Sequence, residues 1–256
     1  MTSDGRIFTI FDEAPSGVVE NGPGQCRLVA RDGFNGKWLW KVPLQKWDGK
    51  YGAGEGNRLN IHQTLPRRLV AKGDRVYMTL QFMNSPVSVL DAATGKVLTK
   101  SLPGTMNTDE MVLSGDILTV ITTKAVSPVM GKPFIAETVN NNIVAGNVKT
   151  GKKLWEHKDI DATPYSLAAI QGQVLYFNAR ELVCLDLATG AEHWRTPVAT
   201  KPKFKSGEVV LVATPELALL HVAQQVNAFS MSTAPRPWNQ HSQPPLRPPG
   251  ASWHDT

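Results

Sequence analysis

The amino-acid sequence predicts an all-β protein, a β-propeller made of four-stranded antiparallel blades. A short pattern returns four times: an apolar strand, then Asp or Asn, a glycine four positions later, and usually a tryptophan four positions after that. The polar anchors of the four copies are 59, 56 and 39 residues apart. One propeller blade takes about 40 to 50 residues, so this spacing indicates one blade per copy. The anchors are Asp32, Asp91, Asn147 and Asp186, the glycines are Gly36, Gly95, Gly151 and Gly190, and the tryptophans are Trp40, Trp155 and Trp194, with Thr99 in the second copy.

Each copy predicts a β-hairpin. The residues before the anchors are apolar and β-branched, as at Ile143 and Val144, which suits a strand. We expect each anchor side chain to accept hydrogen bonds from amides two or three residues further on, and so to close an Asx turn. The glycine is expected to have a positive φ. We predict that Trp155 and Trp194 are largely buried between neighbouring blades.

The stretches between the anchors supply the remaining strands. The segments RLVAKGDRVYMTLQF, MVLSGDILTVITT and LAAIQGQVLYFNA each predict two strands around a tight Gly-Asp or Gly-Gln turn. Together with the anchored hairpins they give about four strands per unit. The two longer intervals contain the predicted insertions, over residues 47–68 and 124–142.

A fifth copy is present in an eroded form. Ser230 and Ala234 stand at the anchor and glycine positions, and Trp238 keeps the tryptophan position. We therefore predict propeller blades over residues 1–231 and a proline-rich, disordered tail over residues 232–256.

About four to five blades are expected to form an incomplete ring rather than a closed one. Closure removes exposed strand edges and covers the faces of the end blades. An open arc leaves one blade face uncovered at each end. On this basis apolar side chains of the first copy, such as Leu28 and Val29, are expected to be exposed.

The copies CLDLATGAEHW and VLDAATGKVLT resemble the pyrroloquinoline-quinone (PQQ) repeat of quinoprotein-like β-propellers. The segments DGRIFTIFDE and LVARDGFNGKWLW are also similar to large PQQ-like propeller proteins of environmental bacteria. Closed members usually have seven or eight blades, so the resemblance implies a partial member. The family includes quinone-dependent alcohol dehydrogenases and cofactor-free propellers such as the outer-membrane assembly lipoprotein. The resemblance alone suggests a periplasmic or cell-envelope location, although no signal peptide is visible in this chain.

The resemblance to the dehydrogenases implies a calcium ion held by Glu and Asn, an Asp base, and a disulfide between adjacent cysteines. The two cysteines of this chain, Cys26 and Cys184, are 158 residues apart. The carboxylate pairs Asp12–Glu13 and Asp109–Glu110 are interpreted as exposed charges at strand ends or in loops. The six histidines show no metal-ligand spacing. We therefore assign no catalytic or metal-binding residue, and the sequence leaves any cofactor-binding residues unidentified.

The net charge of +5 invites a nucleic-acid hypothesis, but lysine and arginine are scattered along the chain. We expect a solvated basic surface and no nucleic-acid partner, and no apolar run is long enough for a membrane helix. The preferred function is a non-catalytic binding or scaffolding module, whose partner is another protein or further blades of a parent chain. The alternative is a fragment of a PQQ-dependent alcohol or sugar dehydrogenase that binds PQQ with calcium.

Overall fold

The computed structural model describes residues 1–13, 25–45, 47, 65–82, 84–123, 141–163, 165–199, 209–223 and 225–231. In this part of the chain, nineteen strands form five separate antiparallel sheets that follow one another along the sequence. Four sheets have four strands and the last has three. The described sheets do not close into a ring. The predictions of an all-β blade architecture and of an incomplete ring are both confirmed.

Each sheet is a simple meander, and we number the sheets as blades 1 to 5. Blade 1 comprises β1 (Thr2–Ser3), β2 (Arg6–Asp12), β3 (Cys26–Asp32) and β4 (Trp38–Pro43). Blade 2 comprises β5 (Leu69–Lys72), β6 (Arg75–Thr79), β7 (Val87–Asp91) and β8 (Val97–Thr99), preceded by a short 3-10 turn at Leu65–Arg68. Blade 3 comprises β9 (Thr108–Ser114), β10 (Ile117–Thr122), β11 (Asn142–Asn147) and β12 (Lys152–His157).

Blade 4 comprises β13 (Ala168–Ile170), β14 (Gln173–Phe177), β15 (Glu181–Asp186) and β16 (Glu192–Pro197). Blade 5 comprises β17 (Val209–Ala213), β18 (Leu217–Val222) and β19 (Gln225–Ser230). The three inter-anchor segments form the hairpins β5–β6, β9–β10 and β13–β14 with the predicted tight turns. Most of the two predicted insertions, and the tail 232–256, lie outside the described residues.

The hydrophobic cores lie between consecutive blades. Phe8 and Leu28 of blade 1 pack with Met78 and Leu90 of blade 2, and all four are fully buried. Similar clusters join blades 2 and 3, 3 and 4, and 4 and 5. This follows from the period-2 alternation of a strand, which gives each sheet two faces to cover. Each internal blade is therefore stabilised from both sides.

The first strands of successive blades contact one another, from β1 through β5, β9 and β13 to β17. These strands therefore line one side of the arc, and the fourth strands lie on the other side. One expectation about the open arc is wrong in detail. Leu28 and Val29 are fully buried, because Leu28 faces blade 2 and Val29 is covered on the other face of β3. In the described part of the chain, no helix is long and apolar enough to cross a membrane.

Candidate functional site

The repeated turn has the same geometry in all four copies. In the fourth copy, Oδ1 of Asp186 accepts hydrogen bonds from the amides of Ala188 (3.0 Å) and Thr189 (2.7 Å) and from the Thr189 hydroxyl (2.8 Å). The hydroxyl and amide of Thr189 hold the pKa of Asp186 below its usual value. Gly190 follows with φ 75° and donates its amide to the Asp186 carbonyl. The other anchors, Asp32, Asp91 and Asn147, accept the equivalent pairs of backbone hydrogen bonds.

A tryptophan of one blade packs on the turn glycine of the next blade. The indole N–H of Trp155, in blade 3, donates to the carbonyl of Leu187 in blade 4 at 2.9 Å. A Cβ atom built on Gly190 would lie 2.7 Å from this indole ring, so only glycine fits there. His157 adds a polar contact of 2.9 Å to the Gly190 carbonyl, which gives this histidine an inter-blade position. We call this arrangement the tryptophan–glycine contact.

Blades 1 and 2 are joined in the same way. The indole N–H of Trp40 donates to the Ala92 carbonyl at 3.0 Å, and the ring lies against Gly95. The accepting residue immediately follows the anchor, as Leu187 does in blade 4. Its amide donates to the carbonyl of Asp74, in the turn between β5 and β6. One residue thus links both hairpins of its own blade to the tryptophan of the preceding blade.

The interface between blades 2 and 3 lacks the tryptophan–glycine contact. Thr99 replaces the tryptophan, and no described residue lies within 4 Å of a Cβ atom built on Gly151. In the segment that follows β8, Leu102 packs against the core between blades 2 and 3, as does Val148 of blade 3. A partly open cleft remains, and it is lined by Leu102, Pro103, Thr105, Leu118, Gly146, Asn147, Val148, Gly151, Lys152 and Lys153.

Trp194 lies between blades, as predicted, but it is less deeply buried than Trp155. It is only partly buried, and it packs against the core between blades 4 and 5. Its indole nitrogen is enclosed but finds no hydrogen-bond partner among the described residues. The reason is visible in the sequence, because the fifth copy lacks both the anchor and the glycine that build the accepting turn.

The turn of blade 1 has the geometry of an accepting turn, but no described tryptophan packs on it. Asp32 closes its Asx turn and Gly36 has φ 71°, as in the occupied turns. Gly33 follows the anchor and donates its amide to Gly5, as Ala92 does to Asp74. No described residue lies within 4 Å of a Cβ atom built on Gly36. Phe34, within this turn, is 93% exposed.

The face of blade 1 that points away from blade 2 is aromatic and cationic. Alternation along β2 places Phe8 towards blade 2 and Phe11 on the opposite face, where Phe11 is 48% exposed. Phe11 packs edge-on against Trp38 at 6.1 Å, and the guanidinium of Arg31 lies 3.5 Å from the Trp38 ring centroid. Lys41 also lies over this ring, at 4.0 Å. We call this surface the leading face.

Glu13 borders the leading face and is not a free charge. It forms ion pairs with Arg27 (2.5 Å) and with Lys41. These two partners, Lys41 first, hold the pKa of Glu13 below its usual value. Its neighbour Asp12 accepts the amide of Gln25 at 2.8 Å. The interpretation of this pair as strand-end charges is therefore incomplete, because both carboxylates have local structural partners.

At the other end of the arc, blade 5 exposes an apolar face. Along β17, Val209 and Leu211 pack against blade 4, whereas the alternate residues Val210 and Val212 point away from it. Val212 is 52% exposed and Val226, on β19, is 59% exposed. Leu217 of β18 adds further exposed apolar surface. We call this surface the trailing face.

The interpretation of Asp109 and Glu110 as exposed charges is wrong. Glu110, on β9, is buried and pairs with Arg67 at 2.8 Å. It also accepts backbone hydrogen bonds from Tyr165 (2.9 Å) and Leu167 (3.2 Å), which enter blade 4. Burial raises the pKa of Glu110 to about 7, and Arg67 and the two amides offset this only in part. Glu110 therefore connects three consecutive segments along the inner strands of the arc.

Asp109 belongs to a second ion pair beside the first. Arg68 is almost fully buried, and it contacts the Asp109 carboxylate and the Phe82 carbonyl. The Thr123 hydroxyl donates to the other carboxylate oxygen of Asp109 at 2.6 Å. The sequence signal for these ion pairs is a pair of adjacent arginines. Arg67 and Arg68 directly precede β5, and they pair with Glu110 and Asp109 near the start of β9. Sequence spacing alone could not show that these segments meet.

The remaining candidate residues do not converge on a common site. The Cys26 thiol donates to the Trp47 carbonyl at 3.4 Å, and burial raises the pKa of the Cys184 thiol to about 12. His193 lies on the surface, 3.7 Å from the Asp186 carboxylate. Within the described ranges, no three His, Cys, Asp or Glu side chains are grouped as metal ligands. The features that the structure does bring together are the inter-blade turns, the inner ion pairs and the two end faces.

Successive meander blades with an Asx turn, a glycine and an interlocking tryptophan define a repeat propeller protein. The family model described as "Outer membrane protein assembly factor BamB" matches residues 23–179 and 139–253. The chain belongs to this family of PQQ-repeat propellers. No curated protein matches the chain.

Solved structures share the fold at low sequence identity. A quinohemoprotein alcohol dehydrogenase from Comamonas testosteroni has a TM-score of 0.56 and 12% identity, over 90% of this chain and 40% of that one. The computationally designed Ika8 protein has a TM-score of 0.54 and 14% identity, over 93% and 58%. BamB from Moraxella catarrhalis has a TM-score of 0.45 and 13% identity, over 91% and 63%. The chain thus spans less than two thirds of the length of each of these structures.

Proposed function

We propose that this chain is a non-catalytic propeller that binds other protein surfaces through the two ends of its arc. The observation that carries the proposal is the leading face. It presents an intact accepting turn at Asp32–Gly36, without a described tryptophan on it, beside the exposed side chains of Phe11 and Trp38. Contiguous exposed apolar surface in a soluble domain marks interaction sites.

The composition of this face supports protein binding. Interfaces are enriched in aromatic residues and arginine, which supply large contact areas at their centres. Trp38 is held between Arg31, Lys41 and Phe11, so its ring is fixed before any partner arrives. A pre-ordered aromatic side chain loses little conformational entropy on binding.

The alternative, a fragment of a PQQ-dependent dehydrogenase, is separated from this proposal by two measurements, of which the first uses the purified chain. The first is calorimetric titration with PQQ in the presence of calcium, followed by dye-linked alcohol oxidation. Binding of PQQ with oxidation activity would contradict the non-catalytic role. No residue of this chain has been assigned to PQQ, so the titration is made on the whole protein.

The second measurement tests binding directly. Chemical crosslinking with mass spectrometry, in an extract of cells that express the chain, should place crosslinked proteins at the end faces. Phe11→Lys should remove the crosslinks at the leading face. Leu98→Lys is the matched control, since Leu98 is 46% exposed on β8, in the middle of the arc. If Phe11→Lys and Leu98→Lys removed these crosslinks equally, the proposed role of the end faces would be contradicted.

A further inference from the structure

We infer that the trailing face of one copy of this chain packs on the leading face of a second copy, so that the chains assemble end to end. The inference rests on the proposed binding role of these faces and names their partner. Each of the four described interfaces within the chain already joins the rear of one blade to the front of the next. An end-to-end contact between copies would repeat this relationship a fifth time.

The leading face is built like the covered front of an internal blade. Blades 2 and 4 receive the preceding blade on the side where the anchor turn accepts a tryptophan. Blade 1 has the same turn, with Asp32 and Gly36 in the same conformation. The register of β2, β3 and β4 also matches that of the internal blades, including the bulge in the pairing of the third and fourth strands. This front therefore has the shape that receives another blade.

The trailing face is built like the covered rear of an internal blade. Val210 and Val212 alternate with residues that pack against blade 4, so a second apolar row lies along β17. Leu217 of β18 and Val226 of β19 add apolar surface on the same face, and Val226 is in register with Val210 across His221 of β18. Val-rich strands that are apolar on both faces are typical of sheets covered on both sides. Removal of these side chains from water favours the assembly, because burial of apolar surface is the dominant favourable term in most protein–protein association.

The contact is heterologous, because the two surfaces that meet are different. Such a contact forms either a closed ring of copies or an open chain, depending on the rotation between neighbours. A self-complementary pairing of two leading faces is disfavoured, because Arg27, Arg31 and Lys41 of both copies would lie together. Those three cations exceed the two described carboxylates of this face, Glu13 and Asp32.

Sedimentation velocity over a range of protein concentrations tests the inference. The wild-type chain should sediment faster as its concentration rises. Phe11→Lys on the leading face and Val226→Lys on the trailing face should each give a monomer alone, because every end-to-end contact then contains one lysine. Leu98→Lys adds the same charge at a similarly exposed apolar position away from both ends, and it should associate like the wild type. Urea unfolding confirms that all three variants are folded.

The decisive arm mixes the two monomeric variants. The Val226→Lys chain keeps an intact leading face and the Phe11→Lys chain keeps an intact trailing face, so a 1:1 mixture should form dimers and nothing larger. A mixture that remains monomeric would overturn the inference. The inference would also be overturned if the wild-type chain were monomeric at every concentration, or if either end variant associated with itself. The same holds if Leu98→Lys abolished self-association as the end variants do. A monomeric chain that still gives end-face crosslinks to other proteins would refute this partner and leave the binding role standing.

Discussion

Trp40 lies so close to Gly95 that a Cβ atom on the glycine would come within 2.6 Å of the indole ring. Trp155 and Gly190 show the same relationship at 2.7 Å. Glycine therefore meets two demands at these positions. It adopts a positive φ in the hairpin turn, and it leaves room for a tryptophan from the preceding blade.

The two demands can be separated within this chain. Gly36 has nearly the same φ as Gly95, 71° against 72°, but no described residue lies near its missing Cβ atom. Gly36→Ala should lower the free energy of unfolding by about 1–2 kcal/mol, through backbone strain alone. Gly95→Ala should cost a further ~1–3 kcal/mol, because the methyl group forces the indole to move. Urea denaturation of both variants measures the difference.

A second matched pair provides the control. Gly190→Ala should behave like Gly95→Ala, whereas Gly151→Ala should behave like Gly36→Ala, because Thr99 leaves the Gly151 turn without a tryptophan. Equal costs at all four positions would mean that the tryptophan–glycine contact adds nothing to the strain of the turn.

Trp155 and Trp194 should respond differently to the loss of their indole nitrogens. Trp155→Phe removes a hydrogen bond and leaves the Leu187 carbonyl unpaired, which should cost about 1–2 kcal/mol beyond the change in packing. Trp194→Phe removes a nitrogen that is enclosed without a described partner, and it should be neutral or stabilising once packing is allowed for. Thermal or urea unfolding distinguishes the two, and a larger cost at Trp194 would contradict the structural assignment.

The local parts of the fold could be predicted from the sequence. An Asx anchor, a glycine and a returning strand act within ten residues, so Asp186 and Gly190 were predictable from their own neighbourhood. The burial of Glu110 was not predictable in the same way. Its partners Arg67 and Tyr165 are 43 and 55 residues away, and they meet it only because consecutive blades pack along their inner strands. The spacing of apolar and polar residues along one strand carries no information about such contacts between side chains of different blades.

The environment of Trp194 also shows that local sequence does not determine the contacts between blades. Its sequence copy is as regular as that of Trp155, yet its environment is set by the next blade. The fifth copy has Ser230 and Ala234 in place of the anchor and the glycine, and the indole nitrogen of Trp194 has no hydrogen-bond partner among the described residues. The burial of the tryptophan in each repeat thus depends on the sequence of the next blade as much as on the sequence of its own blade.

Asp91 should contribute stability that disappears in acid. The Thr94 hydroxyl and amide, aided by the Ala93 amide, hold its pKa below the usual value, so the folded state favours the carboxylate. Its contribution is complete above the unfolded pKa, near 4, and is lost as the pH falls through the lower folded pKa. Asp91→Asn keeps the acceptor, as Asn147 does naturally, and should flatten the acid side of the stability curve. An unchanged acid profile of urea midpoints would contradict this.

Glu110 should have the opposite pH dependence. Burial raises its folded pKa to about 7, so the folded state holds the proton more tightly than the unfolded chain does. Its contribution is therefore complete below the unfolded pKa of about 4.5 and is lost as the pH rises through about 7. By the free energy of about 1.4 kcal/mol per pKa unit, the loss across this window is of the order of 3 kcal/mol.

The test compares urea unfolding of the wild type with that of Glu110→Gln between pH 4 and pH 8.5. The stability of the wild type relative to the variant should fall as the pH rises, since all other titrating groups are common to both chains. Arg67→Met provides a second check with a distinct outcome. The Arg67 guanidinium lowers the pKa of Glu110, so its removal should raise that pKa further. The pH range in which the stability falls should then move to higher pH. A wild-type profile parallel to that of Glu110→Gln would show that Glu110 has the same pKa in the folded and unfolded chains, and would contradict this prediction.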